Sequence, residues 1–201
     1  MSLEIIRSVS LSYFPNSVCF DGVYLHVLNS VGKKLYKIDR AGNTISSIDL
    51  AVTNHQGVTF NGVNFYINRN TAPRKVYKYD RLGNLLDSFA VAESYLGGLV
   101  YDGKIFYGAG CAVAAPYSHD LQGAIISVLA YPSTCPNGIA FDGHNFWVVD
   151  NDDVKIYTLD IRGNLINTIV SPSASPEGAC FDGEHLWLCD GATNSLLMLH
   201  L

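Results

Sequence analysis

The chain has 201 residues, which suits a single domain or one compact repeat array. Charged residues make up only 15%, against roughly 25% in typical globular domains. The formal net charge of −5, from 13 Lys and Arg against 18 Asp and Glu, argues against nucleic-acid binding, because that needs a basic surface. No apolar stretch is long enough to span a bilayer. We therefore expect a soluble, monomeric protein with neither a nucleic-acid nor a membrane partner.

The first seven residues lack the apolar core of a signal peptide. We therefore expect a cytoplasmic location, or a secreted one if a signal peptide has been removed.

A repeat of about 40 residues runs through the chain. Five segments align: SVCFDGVYLHVLN at 17, GVTFNGVNFYINR at 57, GLVYDGKIFYGAG at 98, GIAFDGHNFWVVD at 138 and GACFDGEHLWLCD at 178. Their shared aromatic residues are spaced 40, 41, 40 and 40 apart: Phe20, Phe60, Tyr101, Phe141 and Phe181. A second block follows the first four segments: KLYKIDRAGN, KVYKYDRLGN, APYSHDLQGA and KIYTLDIRGN.

Each repeat is predicted to form four short strands, a to d. The repeats are rich in Val, Ile, Phe, Tyr and Trp and are interrupted by Asp-Gly, Asn-Gly and Gly-Asn, which supply the backbone conformations of tight hairpin turns. No stretch shows sustained helical periodicity with caps. Four-stranded units repeated around an axis make a propeller. We predict an all-β, five-bladed β-propeller, a single domain over 1–201 with blades beginning near residues 14, 55, 95, 135 and 175.

The N-terminus is predicted to close this propeller. The last repeat ends after strand c, at SLLMLHL, and lacks a strand d. The segment 5–9, Ile-Ile-Arg-Ser-Val, is similar to 165–169, which is strand d of blade 4. Residues 3–10 should therefore complete blade 5 as its strand d, which removes two exposed sheet edges.

The repeat pattern P-x-G-I-x-F-D-G-x-x-L-W-V-x-D followed by K-I-Y-x-L-D-x-x-G-N resembles the NHL, YVTN and glutaminyl-cyclase-like propeller repeats. The resemblance covers the whole chain and implies the propeller fold. It carries little information on function, because this fold hosts enzymes, sensors and scaffolds alike.

Residues that recur in most repeats are predicted to maintain the blades. A ring of turn residues precedes a glycine in each a–b hairpin: Asp21, Asn61, Asp102, Asp142 and Asp182. Asp and Asn favour such turns for local reasons, which is a simpler interpretation than an acidic metal-binding ring. His26 shares its strand-b position with Trp147 and Trp187, so we expect a structural role for it.

Residues that break the repeat are better candidates for function. The d–a and b–c loops share one face of a propeller, where the central channel opens. Two rings are predicted there, one before strand a and one at the end of strand b: Asn16, Gln56, Gly97, Asn137 and Glu177; Asn29, Arg69, Gly110, Asp150 and Asp190. His55, beside Gln56, is a candidate general base or ligand-binding residue. His119 is a second possible general base, but it takes the strand-c position that Leu159 fills, so we expect it to be structural. Neither histidine has an assignable partner.

This face is predicted to be electrically polarised. Blades 1 and 2 contribute Lys33, Lys34, Arg69, Arg74 and Lys75, whereas blades 4 and 5 contribute Asp150, Asp152, Asp153, Glu177 and Asp190. Two explanations fit this pattern: the loops carry charge simply because they are exposed to solvent, or the face binds a ligand with separated charges.

A calcium site is a further hypothesis for the mouth. Glu177, Asn16, Gln56 and Asn137 would supply one carboxylate and three amide oxygens to a Ca²⁺ ion of weak affinity. The alternative is that these side chains cap the d–a turns.

Three functions remain open at this point. The first is a non-catalytic binding or interaction propeller that takes a small molecule, peptide or protein at the channel mouth, which fits the absence of GxSxG, HExxH and phosphate-loop motifs. The second is a cation-dependent hydrolase of the gluconolactonase or paraoxonase kind. The third, a glutaminyl-cyclase-like enzyme, is implied by the resemblance alone. That family has a carboxylate on strand b beside the Gln-Gly of blade 2, where this chain has Asn68.

The chain has five cysteines, none in a zinc-type spacing. Cys111 and Cys135 fall in loops of one face on neighbouring blades, so a disulfide between them is conceivable. Cys19 and Cys180 lie on adjacent inner strands, which diverge too far for a bridge, and we expect both to be free.

Overall fold

The computed structural model describes residues 3–91, 97–110, 117–120, 124–128 and 135–201. These residues form five four-stranded antiparallel sheets and no helix, in a propeller arrangement. No helix able to cross a membrane occurs in the described ranges.

Sheets 1 to 4 are simple up-and-down meanders, and the first strand of each lies innermost. Sheet 1 contains β2 (Ser17–Phe20), β3 (Leu25–Asn29), β4 (Lys34–Ile38) and β5 (Thr44–Asp49). Sheet 2 contains β6 (His55–Phe60), β7 (Phe65–Arg69), β8 (Lys75–Tyr79) and β9 (Leu85–Ala90). Sheet 3 contains β10 (Leu99–Tyr101), β11 (Phe106–Gly108), β12 (Tyr117–His119) and β13 (Ile125–Val128). Sheet 4 contains β14 (Pro136–Phe141), β15 (Asn145–Asp150), β16 (Lys155–Asp160) and β17 (Leu165–Val170).

Sheet 5 combines the two ends of the chain. Its inner strands are β18 (Pro176–Phe181), β19 (Leu186–Asp190) and β20 (Ser195–His200), and its outer strand is the N-terminal β1 (Glu4–Ser10). β1 runs antiparallel to β20, with Ile5 opposite Leu199 and Val9 opposite Leu196. Only Val9 of β1 is buried, and Ile5 and Ile6 remain exposed, so backbone pairing holds this strand more than side-chain burial does.

The aspartates before the glycines act as turn residues. In each a–b hairpin, Oδ1 of the Asp or Asn accepts hydrogen bonds from the backbone N–H groups two and three residues later, as Asp21 does from Val23 and Tyr24 at 2.9 and 2.7 Å. The same pair of bonds recurs at the other four positions: Asn61, Asp102, Asp142 and Asp182. The simpler interpretation of this ring therefore accounts for its geometry.

The second carboxylate oxygen of these aspartates ties strand b to the turn. Trp147 and Trp187 donate their indole N–H to Asp142 and Asp182 at 2.7 and 2.9 Å. His26 Nε2 lies 2.9 Å from Asp21 Oδ2 at the equivalent position, which is the structural role that its place in the repeat predicted.

Arginines of the c–d turns link neighbouring sheets on this same side. Arg40 of sheet 1 donates to the buried carboxylate of Asp182 in sheet 5 at 2.7 Å. Arg81 of sheet 2 donates to Asp21 in sheet 1 at 3.3 Å. The turn aspartates thus also serve contacts between sheets.

In the described ranges five apolar clusters form the core, and each joins two neighbouring sheets. They lie between sheets 1 and 2, 2 and 3, 3 and 4, 4 and 5, and 5 and 1. The last of these packs Trp187 and Leu196 of sheet 5 against Leu25 and Val27 of sheet 1. Each sheet is therefore buried on both faces, which explains the low content of charged residues.

The contribution of β1 to this assembly is directly testable. Removing residues 1–10 leaves the edge of β20 unpaired, uncovers the apolar surface under Val9, and takes away backbone hydrogen bonds worth about 1 kcal/mol each. We expect the melting temperature to fall by more than about 6 °C, as for a loss of several kcal/mol in a chain of this size. Thermal unfolding followed by circular dichroism measures this, and removal of residues 1–3 is the control. A truncated chain that melts within a few degrees of the parent would contradict the role given to β1.

Candidate functional site

The mouth of the channel is formed where the inner strands begin, and small residues make it narrow. The first inner positions of the five repeats are occupied by Ser or Gly: Ser17, Gly57, Gly98, Gly138 and Gly178. A Cβ added to Gly178 would lie 2.5 Å from the Cα of Ser17, and one added to Gly98 would lie 2.8 Å from the Cα of Gly138. The backbones of neighbouring inner strands therefore touch here, and no larger side chain fits between them. We call these five residues the neck.

A cavity of about 100 Å³ lies in the channel beyond the neck. It is lined by the middle and the end of the inner strands: 18–20, 58–60, 99–101, 139, 141 and 179–181. Some inner-strand N–H groups are satisfied across neighbouring sheets, since Val58 N donates to Ser17 Oγ and Tyr101 N donates to Thr59 Oγ1. None of the residues that line the cavity belongs to the two predicted rings.

Glu177 lies at the mouth in a network of neutral donors. Its carboxylate accepts hydrogen bonds from Asn137 Nδ2 at 3.3 Å, from Asn151 Nδ2 at 2.9 Å and from Ser175 Oγ at 3.4 Å. Partial burial raises the pKa of Glu177 above its ordinary value, because removal from water disfavours the charged form. The structure thus brings together two of the predicted ring residues, Asn137 and Glu177, on neighbouring sheets.

The other two members of the predicted calcium set are arranged differently. Asn16 turns its Oδ1 to the backbone N–H of Ser30 at 2.7 Å, which is the local capping role. Gln56 is half-buried, and it is not one of the described residues that donate a hydrogen bond to Glu177. Asn137 directs its amide nitrogen, not its oxygen, towards Glu177. Within the described ranges no group of three or more His, Cys, Asp or Glu side chains could hold a metal ion, and the calcium site stays a prediction.

Asp190 and Asp150 occupy equivalent corners of sheets 5 and 4, but their surroundings differ. Asp190 accepts hydrogen bonds from Ser173 Oγ at 2.7 Å, Thr193 Oγ1 at 2.6 Å and the backbone N–H of Ala192 at 3.0 Å. Asp150 is fully buried and accepts a hydrogen bond from the N–H of Asp153 through Oδ1, whereas its Oδ2 has no hydrogen-bond partner in the described part of the chain. Burial, followed by the nearby charge of Asp153, raises the pKa of Asp150.

Lys155 is a cation on the acidic side of the mouth: it lies directly opposite Asp150 in the β15–β16 pairing, and its Nζ lies 3.9 Å from Asp153 Oδ2. Among the described residues, no Lys or Arg lies within ion-pair distance of Glu177, Asp150 or Asp190. The hydrogen-bond donors to these three carboxyl groups are neutral in the described part of the chain.

His55 and Arg69 lie together at the corner of sheet 2. They are directly opposite each other in the pairing of β6 with β7. The imidazole of His55 is fully buried, and neither ring nitrogen has a hydrogen-bond partner among the residues that the structure describes. It makes T-shaped contacts with Tyr77 and Tyr79, at centroid distances of 6.4 and 6.5 Å. Burial, together with the charge of Arg69, lowers the pKa of His55 to about 4. This histidine is therefore neutral at pH 7 and enclosed, which is unlike a working general base.

Asn68 has a structural role beside the neck. It is fully buried, accepts a hydrogen bond from Gly57 N at 2.6 Å through Oδ1, and donates from Nδ2 to the carbonyl of Gly97 at 3.2 Å. The side chain thus joins sheet 2 to the residue that precedes sheet 3. Both of its polar ends are engaged, and it has no ionisable group.

The cysteines divide into two groups. Cys19, Cys180 and Cys189 are buried free thiols, and for Cys19 and Cys180 this confirms the expectation from the sequence. Cys135 is disulfide-bonded. Cys111, its predicted partner, and the side chain of the candidate base His119 lie outside the described residues.

Sequence reasoning missed the partners of Glu177. Asn151 follows strand β15 and Ser175 precedes strand β18, and both fall in loops whose contacts depend on how two sheets pack. Their only sequence signal is that each is a polar residue next to a member of a predicted ring.

Comparisons with known proteins give the fold. No family model matches the chain, and no curated protein does. The chain is similar in structure to Myxococcus xanthus glutaminyl cyclase, with a TM-score of 0.85 and 12% identity over 99% of this chain and 96% of that one. It is also similar to a catalytically inactive virginiamycin B lyase from Staphylococcus aureus with quinupristin (TM-score 0.59, 16% identity, 96% of this chain and 66% of that one). A third similar structure is Kuenenia stuttgartiensis hydrazine synthase (TM-score 0.58, 17% identity, 90% of this chain and 56% of that one).

At these identities the likeness shows the propeller fold alone. It includes a glutaminyl cyclase among the structural neighbours, in keeping with one part of the resemblance seen in the sequence. The NHL and YVTN parts of that resemblance stay predictions.

The enclosed histidine predicts a specific pH dependence of stability. Because the pKa of His55 is about 4 in the folded chain and near 6.5 when unfolded, the unfolded state binds more protons in this interval, and stability is lost as pH falls from 6.5 through 4. Proline fills this position in three other repeats, as Pro15, Pro136 and Pro176, but here the preceding residue, Asn54, has a φ of 61°, which does not suit a following proline. His55→Phe keeps an aromatic ring at this position and has no group that takes up a proton. We expect the stability of the variant relative to the parent to grow by about 3 kcal/mol between pH 7 and pH 4.

Urea unfolding at a series of pH values measures this difference. His144→Gln, at an exposed hairpin tip, is the control and should follow the parent. Parallel stability curves for the parent and His55→Phe would refute the enclosed, neutral state of His55.

Proposed function

We propose that this chain is a non-catalytic binding propeller that recognises a cationic group of a small molecule or peptide at the mouth of its channel. One observation carries the proposal: Glu177 is held at the mouth by Asn137, Asn151 and Ser175, and no Lys or Arg neutralises it among the described residues. A partly buried carboxylate with fixed neutral donors is pre-organised for an ammonium group, because the ligand does not have to order the site.

We also infer that the five sheets are the five blades of one closed ring, as the repeats predicted. Five core clusters support this inference, because each joins one sheet to the next and the fifth joins sheet 5 to sheet 1. The neck residues support it as well, since Gly178 of sheet 5 abuts Ser17 of sheet 1. Such a ring presents the loops of all five blades around one mouth.

Asp150 lies on the same side of the mouth. Its Oδ2 has no hydrogen-bond partner among the described residues, and burial raises its pKa, because a buried carboxyl without a partner is disfavoured in its charged form. A bound cation nearby would favour ionisation of both Asp150 and Glu177. The ligand class is therefore an amine, such as the terminus of a peptide or a small alkylammonium ion.

Catalysis of the glutaminyl-cyclase kind is less well supported. The likeness to a glutaminyl cyclase rests on fold at 12% identity. Where the sequence resemblance implies a carboxylate, this chain has Asn68, and both polar ends of that amide bond the backbone of Gly57 and Gly97. A hydrolase of the gluconolactonase or paraoxonase kind would need a bound cation, and the calcium site at Glu177, Asn16, Gln56 and Asn137 is still a prediction.

Amine binding can be measured with ethylammonium chloride and with a short peptide that has a free amino terminus. At pH 7 both should raise the melting temperature of the parent above that in sodium chloride of equal ionic strength. Glu177→Gln keeps the size of the side chain and should weaken binding at least tenfold, because it removes the only charge in the network. Calorimetric titration gives the affinities.

Asp152→Asn is the matched control, because Asp152 is an exposed acidic residue of the neighbouring loop. It should bind the amine as the parent does. Three results would each overturn the proposal: Glu177→Gln binds the amine with the affinity of the parent, Asp152→Asn loses as much affinity as Glu177→Gln, or the parent does not bind the amine.

A further inference from the structure

A row of basic residues crosses the corner of sheet 2. His55 lies directly opposite Arg69 in the β6–β7 pairing, and Arg69 lies directly opposite Lys75 in the β7–β8 pairing. Directly paired residues of an antiparallel sheet stand side by side on the same face, with Cβ atoms about 4.5–5.5 Å apart. The last member of the row is Ala90 on β9. The four residues of the row thus include three basic side chains and no acidic one.

The equivalent rows of the other sheets have a different charge pattern. They run through the following residues: Asn29, Lys34 and Asp49 in sheet 1; Pro136, Asp150, Lys155 and Val170 in sheet 4; Pro176, Asp190, Ser195 and Ser10 in sheet 5. In sheet 1 the lysine is paired with its acid, since Lys34 Nζ lies 2.6 Å from Asp49. In sheet 4 the lysine of the row, Lys155, lies directly opposite Asp150. Like charges side by side destabilise a sheet, so the row of sheet 2 is unbalanced as it stands.

The guanidinium of Arg69 is held in place but not neutralised. Its Nε donates to Thr71 Oγ1 at 3.0 Å, and Asn54 Nδ2 donates to the same oxygen at 3.2 Å. The two terminal nitrogens of Arg69 have no hydrogen-bond partner among the described residues. Beside it, Lys75 Nζ has only the hydroxyl of Ser88, at 3.3 Å. An oriented fork of N–H donors next to a second cation matches the two oxygens of a carboxylate or phosphate group.

We propose that Arg69 and Lys75 form a binding site for a small oxyanion at the corner of sheet 2. The anion supplies the negative charge that acidic residues supply in the rows of sheets 1 and 4. Buried His55 closes the inner end of the site and brings no negative charge to it. The inference extends the proposed function, because this corner lies on the same face as Glu177. A ligand with an ammonium and a carboxylate group would use both sides.

The test uses the anion alone, so that it can succeed even if amine binding fails. Sodium acetate and sodium phosphate are titrated at pH 7 against sodium chloride of equal ionic strength, with the melting temperature and calorimetric heat as readouts. We expect at least one of the two oxyanions to stabilise the parent beyond chloride. Binding of acetate alone identifies a carboxylate ligand, and binding of phosphate alone identifies a phosphorylated one.

Arg69→Asp places in sheet 2 the residue that sheets 4 and 5 have at this position, which balances Lys75. It should bind the oxyanion at least tenfold more weakly and should melt no lower than the parent without anion. Arg69→Gln removes the charge alone and should show the same loss of binding. It tests the site independently if Arg69→Asp fails to fold.

Lys75→Gln should weaken binding, whereas Lys155→Gln, its counterpart in the row of sheet 4, should not. Glu177→Gln should leave oxyanion binding unchanged, which separates this inference from the proposed function. The inference would be overturned if chloride stabilised the parent as much as both oxyanions do, or if both Arg69 variants bound the oxyanion as the parent does.

Discussion

The close approach of the inner strands at the neck is the constraint on which the rest of the structure depends. At Gly57, Gly98, Gly138 and Gly178 a Cβ would collide with the backbone of the next repeat, so the glycines set the distance between neighbouring sheets. That distance in turn allows hydrogen bonds across sheets, such as those from Val58 N to Ser17 Oγ and from Asn68 to Gly97. Every apolar cluster between sheets is packed at the spacing that these contacts impose.

The same constraint separates the predicted rings from the rest of the channel. Backbone atoms of neighbouring repeats meet at the neck, and the predicted ring residues lie just before it and at the ends of the second strands. There the repeat pattern ceases to be uniform, with Glu177 and Asp150 on one side and Arg69 on the other. Among the described residues, Glu177 has no Lys or Arg within ion-pair distance, and Arg69 has no acidic partner. The proposal of a ligand with separated charges rests on this arrangement.

The sequence was sufficient to predict the parts of the structure that are local. Spacing of the aromatic residues and the Asp-Gly turns predicted four-stranded repeats, and the propeller arrangement is confirmed. Asp21 and its equivalents form the predicted turns because their hydrogen bonds reach only two or three residues ahead. Contacts between sheets were not predictable in this way: the donors to Glu177 come from three segments, and the enclosure of His55 depends on Tyr77 and Tyr79 of another strand.

The most direct test of this account is the stability of Gly178→Ala against that of Gly62→Ala. The first variant places a methyl group 2.5 Å from the Cα of Ser17, where backbone cannot give way, whereas the second meets no atom within 4 Å and carries only the strain of a positive φ, about 1 kcal/mol. Denaturant unfolding of both should show that Gly178→Ala loses more than about 3 kcal/mol, in the range of severe overpacking, and Gly62→Ala much less. Equal losses, or a smaller loss for Gly178→Ala, would contradict a neck set by backbone contact.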